Sequence, residues 1–121
     1  MRVKHAAVAL GLVTLGVAIG GIGLAQDPDQ SIAAAVGQVN DKYSQYNLDI
    51  KKLFAQRCSW CHQGYGTRQA DGPKLAGTAK NREEIMKQIR NGKSPMPAFK
   101  NQLKDYEVEA LADYIKALPT N

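Results

Sequence analysis

The chain has 121 residues, enough for one domain and too few for two of ordinary size. Its composition is that of a globular protein with few aromatic residues, and it contains no repeat or low-complexity segment. The formal net charge of +5 indicates only a mildly basic surface, so we expect no nucleic-acid partner.

Residues 1–25 have the pattern of a secretory signal peptide. A short basic head that contains Arg2 and Lys4 precedes a long uncharged, apolar stretch, which ends in small residues at Ala25. The alternative is a retained membrane anchor, since this stretch is long enough to span a bilayer. We expect cleavage and export, which would bring the chain into an oxidising compartment where paired cysteines usually form a disulfide.

The next segment, residues 26–46, is polar apart from one apolar cluster at residues 32–36. We interpret it as a polar linker or N-terminal extension that contains at most a short helix. The pattern changes at residue 47, so the sequence predicts one domain over residues 47–121.

The first helix of this domain is predicted to begin at an Asn47 cap and to lead directly into Cys58. Its apolar residues recur at helical spacing, and they are Ile50, Leu53 and Phe54. Residues 62–80 follow, and their many glycines and prolines predict a long loop.

Two further helices are predicted downstream. One has the capping-box spacing of Asn81 and Glu84 and is expected to end at Gly92 in a left-handed conformation. The other runs from about Asp105 to Leu118. Its apolar stripe consists of Val108, Leu111, Ala112, Ile115 and Leu118. No β-type alternation is present, so the predicted fold is all-α.

A domain of about 70 residues with three short helices has a small core and usually needs a disulfide, metal or cofactor for stability. A disulfide between Cys58 and Cys61 would close a very short loop and remove little chain entropy. The sequence therefore predicts a larger group at the centre of the fold.

The segment Cys58-Ser-Trp-Cys-His62 matches the Cys-X-X-Cys-His pattern through which haem is attached covalently. Thiols three residues apart can reach two vinyl groups of one porphyrin, and the following histidine is then held beneath the ring. Trp60, between the cysteines, either shields a haem edge or is a surface aromatic with no special role.

Three other interpretations use the same residues. Zinc needs about four ligands, and this motif supplies only three thiols and imidazoles. A thioredoxin-like redox motif needs a βαβ context, which the sequence lacks. A structural disulfide leaves His62 without a purpose. We expect haem, because it uses all three side chains.

A haem iron would still need a ligand opposite His62. His5 would leave with the signal peptide, so methionine is the natural candidate. Met86 lies on a helical apolar face, where core packing is its expected role. Met96 lies between two prolines that restrict the backbone, and we therefore expect its sulfur to be the second ligand.

Residues 47–119 resemble a class I c-type cytochrome. The resemblance is carried by four segments in the family's order, namely Cys58-Ser-Trp-Cys-His62, Gly72-Pro73-Lys74-Leu75, Asn91-Gly-Lys-Ser-Pro-Met96-Pro-Ala-Phe99 and Leu111-Ala-Asp-Tyr-Ile-Lys-Ala-Leu118.

The resemblance implies three main helices and loops wrapped around one covalent haem c. His62 would be the proximal ligand, Met96 the distal ligand, and the Pro73 carbonyl would accept a hydrogen bond from the other His62 nitrogen. The first and last helices would pack together and bring Phe54 near Tyr114. The family often caps its last helix with Ser or Thr, whereas Lys104 stands there, which leaves the first residue of that helix open.

These features predict a periplasmic one-electron carrier and no enzyme. Its partners would be redox proteins, among them periplasmic dehydrogenases, with acidic surfaces that meet a basic rim of Lys74, Lys93 and Lys100. A catalytic or gas-sensing haem protein with a displaceable sixth ligand is the alternative. A membrane-anchored electron-transfer subunit is another, should residues 1–25 be retained.

Overall fold

The structure is a computed structural model that describes residues 28–120, so the expected signal peptide lies outside the described residues. Four α-helices form this part of the chain, and they are α1 (Pro28–Lys42), α2 (Ile50–Arg57), α3 (Arg82–Asn91) and α4 (Asp105–Ala117). Between residues 28 and 120 there is no β-strand, and the predicted all-α fold is confirmed. None of these helices has the length and apolar character needed to cross a bilayer.

The core forms where α2 and α3 pack against α4. Phe54 of α2 and Tyr114 of α4 are fully buried, and their ring centroids lie 5.2 Å apart at an angle of 58°. This tilted geometry is one that aromatic pairs prefer. The predicted contact between these two side chains is thus present. The predicted apolar stripe of α4 is buried along its whole length.

The ends of α3 and α4 follow from local sequence. The Asn81 side chain accepts a hydrogen bond from the backbone of Glu84, and the Glu84 carboxylate accepts one from the Asn81 backbone. This is the predicted capping box, and α3 ends at Gly92, whose φ is +67°. The α4 helix begins at Asp105, where the backbone N–H of Lys104 donates to Glu107 at 2.7 Å.

The start of α2 differs from the prediction. Asn47 adopts a left-handed conformation and ends a short 3-10 turn, so it does not cap α2. The cap is Asp49, whose side chain accepts a hydrogen bond from Lys52 at 3.0 Å. Asn40 of α1 accepts a second one from the backbone of Ile50 at 2.9 Å, so α1 satisfies a donor at the start of α2.

Residues 28–42 differ more strongly from the polar linker or extension that the sequence predicted, because they form α1, the longest helix described. Its inner face is a buried stripe at helical spacing, made by Ile32, Ala35 and Val39 and continued by Tyr43. Residues 33–35 at its centre are alanines, and alanine has the highest helix propensity. Pro28 at the first position is also a favourable start.

Asp113 of α4 ties three helices together. Its carboxylate accepts hydrogen bonds from Lys42 at 2.6 Å, Tyr43 at 2.7 Å and Arg82 at 2.6 Å. Lys42 and Tyr43 belong to the end of α1, and Arg82 begins α3. Because charged hydrogen bonds are stronger than neutral ones, this cluster fixes α1 and α3 onto α4.

We predict that Asp113→Asn lowers the free energy of unfolding by about 2 kcal/mol, because three donors lose a charged acceptor. Chemical denaturation of the intact, matured protein measures this change. Asp41→Asn is the matched control, since Asp41 is an exposed residue of α1 and should change stability by less than about 0.5 kcal/mol. Equal losses in the two variants would contradict the assigned role of Asp113.

The same variant has a predictable pH dependence. Burial of Asp113 favours the protonated carboxyl, but hydrogen bonds from Arg82, Lys42 and Tyr43 outweigh this effect and hold the pKa of Asp113 below its ordinary value. The carboxylate therefore stabilises the fold above the unfolded-state pKa of about 3.9, and this stabilisation is lost as pH falls through the lower folded-state pKa. The stability difference between wild type and Asp113→Asn should be constant near neutral pH and should shrink below about pH 4.

Candidate functional site

A largely apolar cavity of about 290 Å³ lies between the loops and the inner faces of α3 and α4. Its size is at the lower end of the roughly 300–1,000 Å³ typical of small-molecule sites. Three of the residues singled out from the sequence, Cys58, His62 and Met96, line it together, and Pro73 does so as well. The other lining residues are Lys74, Leu75, Thr78, Lys80, Ile85, Gln88, Ile89, Leu111 and Ile115.

The turn that carries the cysteines is an extension of α2. Cys58 caps the helix, with its backbone N–H bonded to the Phe54 carbonyl at 2.9 Å. The Cys58 carbonyl then accepts hydrogen bonds from Cys61 at 3.2 Å and from His62 at 2.9 Å. This turn holds the two cysteines and the histidine in one compact unit, and Cys58 and Cys61 are both free, half-buried thiols.

The buried His62 ring is oriented by one hydrogen bond. Its Nδ1 lies 2.9 Å from the Pro73 carbonyl oxygen. A carbonyl can only accept, so Nδ1 carries the proton, and Nε2 of the neutral ring keeps its lone pair. An imidazole in this tautomer can bind a metal through Nε2. The ring orientation of a metal-binding histidine is usually fixed by a hydrogen bond from its other nitrogen.

The loop that carries Met96 is closed by backbone hydrogen bonds. Lys93 and Met96 pair in both directions, with N···O distances of 3.1 and 2.8 Å. Phe99 then donates to the Ile89 carbonyl at 3.0 Å, which fastens the end of the loop to α3. A side chain at Gly92 would lie 2.7 Å from the Met96 carbonyl oxygen, so the loop requires glycine there.

Comparison with known sequences identifies the family of this chain. The family described as cytochrome c oxidase, cbb3-type, subunit III matches residues 47–115. Cytochrome c6 of Euglena gracilis and that of Leptolyngbya boryana are each 38% identical over 71 residues, which are 52% and 53% of this chain and 82% of each relative. Cytochrome c6 of a Nostoc species is 35% identical over 71 residues, 53% of this chain and 63% of its own length. No solved structure gave a significant match.

The chain is a class I c-type cytochrome. Members of this family carry one covalently bound haem c and act as electron carriers rather than enzymes, and the same holds for this protein. The matched region begins at residue 47, so α1 lies entirely outside it.

The residues of the cytochrome cavity fit a haem. The walls supplied by α3 and α4 are apolar, as a porphyrin face requires. The neutral His62 ring keeps one nitrogen lone pair, and Met96 lines the same cavity. Cys58 lines the cavity and Cys61 follows on the same turn. The individual roles of Cys58, Cys61, His62, Pro73 and Met96 toward the haem remain predictions.

The Cys58 thiol does not have the character of a redox-active cysteine. Burial raises its pKa to about 12, and this effect exceeds the opposing influence of Arg57, while Cys61 raises the pKa further. Reactive cysteines in dithiol redox motifs have lowered pKa values. The thiol therefore stays protonated at neutral pH. Over residues 28–120, no three His, Cys, Asp or Glu side chains cluster as a metal site would require.

Sequence reasoning missed Gln88 as a contributor to the site. The Gln88 amide nitrogen lies 4.0 Å from the Met96 sulfur and lines the cavity. Its place on the apolar face of α3, one turn after Ile85, was the available signal. Met86, the weaker ligand candidate, is buried in the core and does not line the cavity, while its sulfur lies 3.2 Å from Nη1 of Arg82.

Tyr114 supports the loop that follows His62. Its hydroxyl donates to the Tyr65 carbonyl at 2.9 Å, and burial raises the pKa of Tyr114, so the donor stays protonated. Tyr65 has a left-handed conformation with φ of +55°, which costs a residue other than glycine about 1 kcal/mol. The hydrogen bond from the buried Tyr114 thus stabilises the strained turn that follows His62.

Gly72 lies against the His62 ring and leaves no room for a side chain. A Cβ atom there would lie 2.6 Å from Cε1 and 2.9 Å from Nδ1 of His62. Real Cβ contacts are longer, so any larger residue must push the ring away. Because Gly72 precedes Pro73, that push would also strain the hydrogen bond that fixes the tautomer.

We predict that Gly72→Ala lowers the stability of the haem-loaded cytochrome by roughly 1–3 kcal/mol, as overpacking does elsewhere, and changes its visible spectrum through the displaced imidazole. Denaturation followed at the haem absorption measures both effects. Gly37→Ala is the control, since a Cβ at Gly37 of α1 meets nothing within 4 Å. It should leave the spectrum unchanged and stabilise the protein by up to about 1 kcal/mol. A normal spectrum and normal stability in Gly72→Ala would show that the ring tolerates the added carbon.

Proposed function

We propose that this cytochrome is an exported, periplasmic one-electron carrier in which His62 and Met96 hold the haem iron from opposite sides. It would shuttle electrons between a dehydrogenase or another donor and a terminal acceptor. The observation that carries the proposal is that His62 and Met96 line one apolar cavity together, while Nδ1 of His62 lies 2.9 Å from the Pro73 carbonyl oxygen.

The function follows from the number of ligands that the chain provides. With a nitrogen and a sulfur both supplied by the protein, no position is open for oxygen, peroxide or a substrate. Methionine as the second ligand raises the reduction potential. The protein then orients His62 through Pro73, holds Met96 in a closed loop and excludes water with the apolar walls. These are the tasks of a carrier.

Export is supported by the sequence of residues 1–25, with its basic head, apolar stretch and small-residue exit. We infer that the mature protein starts near Gln26 and that residues 26–46 precede a haem domain over residues 47–121.

Mass spectrometry and the visible spectrum of the purified, mature protein test this proposal together. The expected mass is that of a chain without residues 1–25 plus one haem. A protein that carries haem but keeps residues 1–25 would instead be the anchored subunit. Rapid binding of carbon monoxide by the wild type would favour a catalytic or gas-sensing protein over a carrier.

We predict that Met96→Ala abolishes the methionine-to-iron charge-transfer band of the oxidised protein and lowers the reduction potential by on the order of 0.1 V, because axial ligation controls potentials over about 0.8 V. Absorption spectroscopy and voltammetry measure the two effects. Met86→Leu is the matched control and should keep both properties, with a stability loss under about 1.5 kcal/mol. The assignment of Met96 fails if the band survives in Met96→Ala, or if Met86→Leu loses it.

Acidic partners are supported by the distribution of charge around the cavity. The charged residues that line it, Lys74 and Lys80, are both basic. Residues 85–104, which include the Met96 loop, contain five basic and no acidic residues. Lys93 and Lys100 on this loop are exposed. A partner with carboxylates on its docking surface would be attracted to the basic residues on this side.

We predict that Lys93→Glu/Lys100→Glu slows oxidation of the reduced protein by ferricyanide, an anion, about tenfold at low salt. Oxidation by a cationic cobalt complex should become faster, and stopped-flow absorption measures both rates. The control reverses Lys51 and Lys52, exposed lysines of α2 that lie outside residues 85–104, and should affect both oxidants less. All differences should shrink near 1 M salt, where the screening length is about 3 Å. Equal rates for wild type and the Lys93/Lys100 variant would refute a basic rim at this loop.

A further inference from the structure

We propose that Trp60 anchors the docking of an electron-transfer protein, and that this partner presents an apolar socket ringed by carboxylates. The inference rests on the proposed carrier function and names the surface and the partner chemistry that serve it. It concerns the surface beside the haem attachment rather than the haem cavity itself.

Trp60 is unusual in its exposure. Its side chain is 83% exposed, and the only other large hydrophobic side chain exposed between residues 28 and 120 is Tyr46 at 47%. Tyr46 has a packing partner, since it stacks on Tyr106 with ring centroids 4.0 Å apart. Within the described chain, the Trp60 indole has neither a ring contact nor a hydrogen bond. Tryptophan usually finds a partner for its N–H when it is buried, so this indole is available to one.

The position of Trp60 connects it to electron transfer. It stands between Cys58 and Cys61, the two residues predicted to hold the haem. Its exposed side chain does not line the cavity. A protein that covers Trp60 therefore lies directly against the two attachment points, where the path for an electron is short.

Charge selects the kind of partner. Residues 50–70 contain four basic residues and no acidic one, and Arg57 is exposed one turn before Trp60. Two further basic residues, Lys74 and Lys80, line the cavity. A second copy of this chain would bring like charges together around the same residue, which is unfavourable. A partner with carboxylates around an apolar socket fits both features.

The magnitude of the contact is sufficient. Electron-transfer complexes bury less than about 1,200 Å² in total. One tryptophan can bury about 150–250 Å², a large share of one side of such an interface. Tryptophan is also enriched among the residues that dominate binding energy. A small, weak interface can thus depend on this one side chain for much of its affinity.

Voltammetry of the haem-loaded, mature protein on coated gold electrodes tests the proposal. One electrode carries a carboxylate-terminated monolayer, and the other carries mixed carboxylate- and methyl-terminated chains, which imitate an acidic surface with an apolar patch. On the mixed surface we expect Trp60→Ser to bind about tenfold more weakly than wild type. Trp60→Phe should retain part of the affinity, and on the pure carboxylate surface all three proteins should bind alike.

Tyr46→Ser removes the other exposed aromatic residue and is the matched control, which should bind like the wild type. Equal binding of Trp60→Ser and wild type to the mixed surface would overturn the proposal, as would an equal loss in Tyr46→Ser. Binding to anionic lipid vesicles that depends on Trp60 would assign the residue to a membrane, and self-association that depends on it would assign it to a second copy. Either result would also overturn the proposal.

Failure of the carrier function is recognised separately, because the wild type would then show no reversible one-electron wave on either electrode.

Discussion

The hydrogen bond from His62 Nδ1 to the Pro73 carbonyl is the contact on which the site depends. It determines which nitrogen carries the proton, and so leaves Nε2 of a buried ring able to bind iron. The bond joins two loop segments eleven residues apart, and the backbone supports it because Gly72 donates to the Cys61 carbonyl at 2.8 Å. The chemistry of the site is thus fixed by loops, and the helices serve to hold those loops in place.

Each helix holds a particular part of the site. The α2 helix ends in Cys58, so packing of Phe54 against Tyr114 places the attachment turn relative to α4. The α3 helix supplies cavity wall and the backbone carbonyl of Ile89 that receives the end of the Met96 loop. Because α2 and α3 both pack on α4, the position of α4 determines the positions of both sides of the cavity. Movement of α4 would therefore displace His62 and Met96 together.

Features that depend only on nearby residues could be predicted from the sequence. The capping box at Asn81, the apolar stripe of α4 and the cysteine–histidine motif can all be recognised from spacing, because each depends on neighbours within a few residues. The cap of α2 was assigned to Asn47 rather than Asp49, because Asn47 is equally suited in isolation and the turn before it decides the outcome. Spacing alone did not assign roles to Gly72 and Gln88, since their proximity to His62 and Met96 arises only in the folded chain.

The α1 helix adds contacts to the helices of this short haem domain. It lies outside the region shared with known cytochromes, yet its last residues meet Asp113 on the same carboxylate as Arg82 of α3. Asp113 is next to Tyr114, whose side chain supports the turn behind His62. The haem domain is small, and small domains bury a smaller fraction of their surface than large ones. A helix that caps α2 through Asn40 and fixes α3 and α4 through one acidic side chain adds rigidity at the elements that position the ligands, without occupying the cavity or the exposed surface around Trp60.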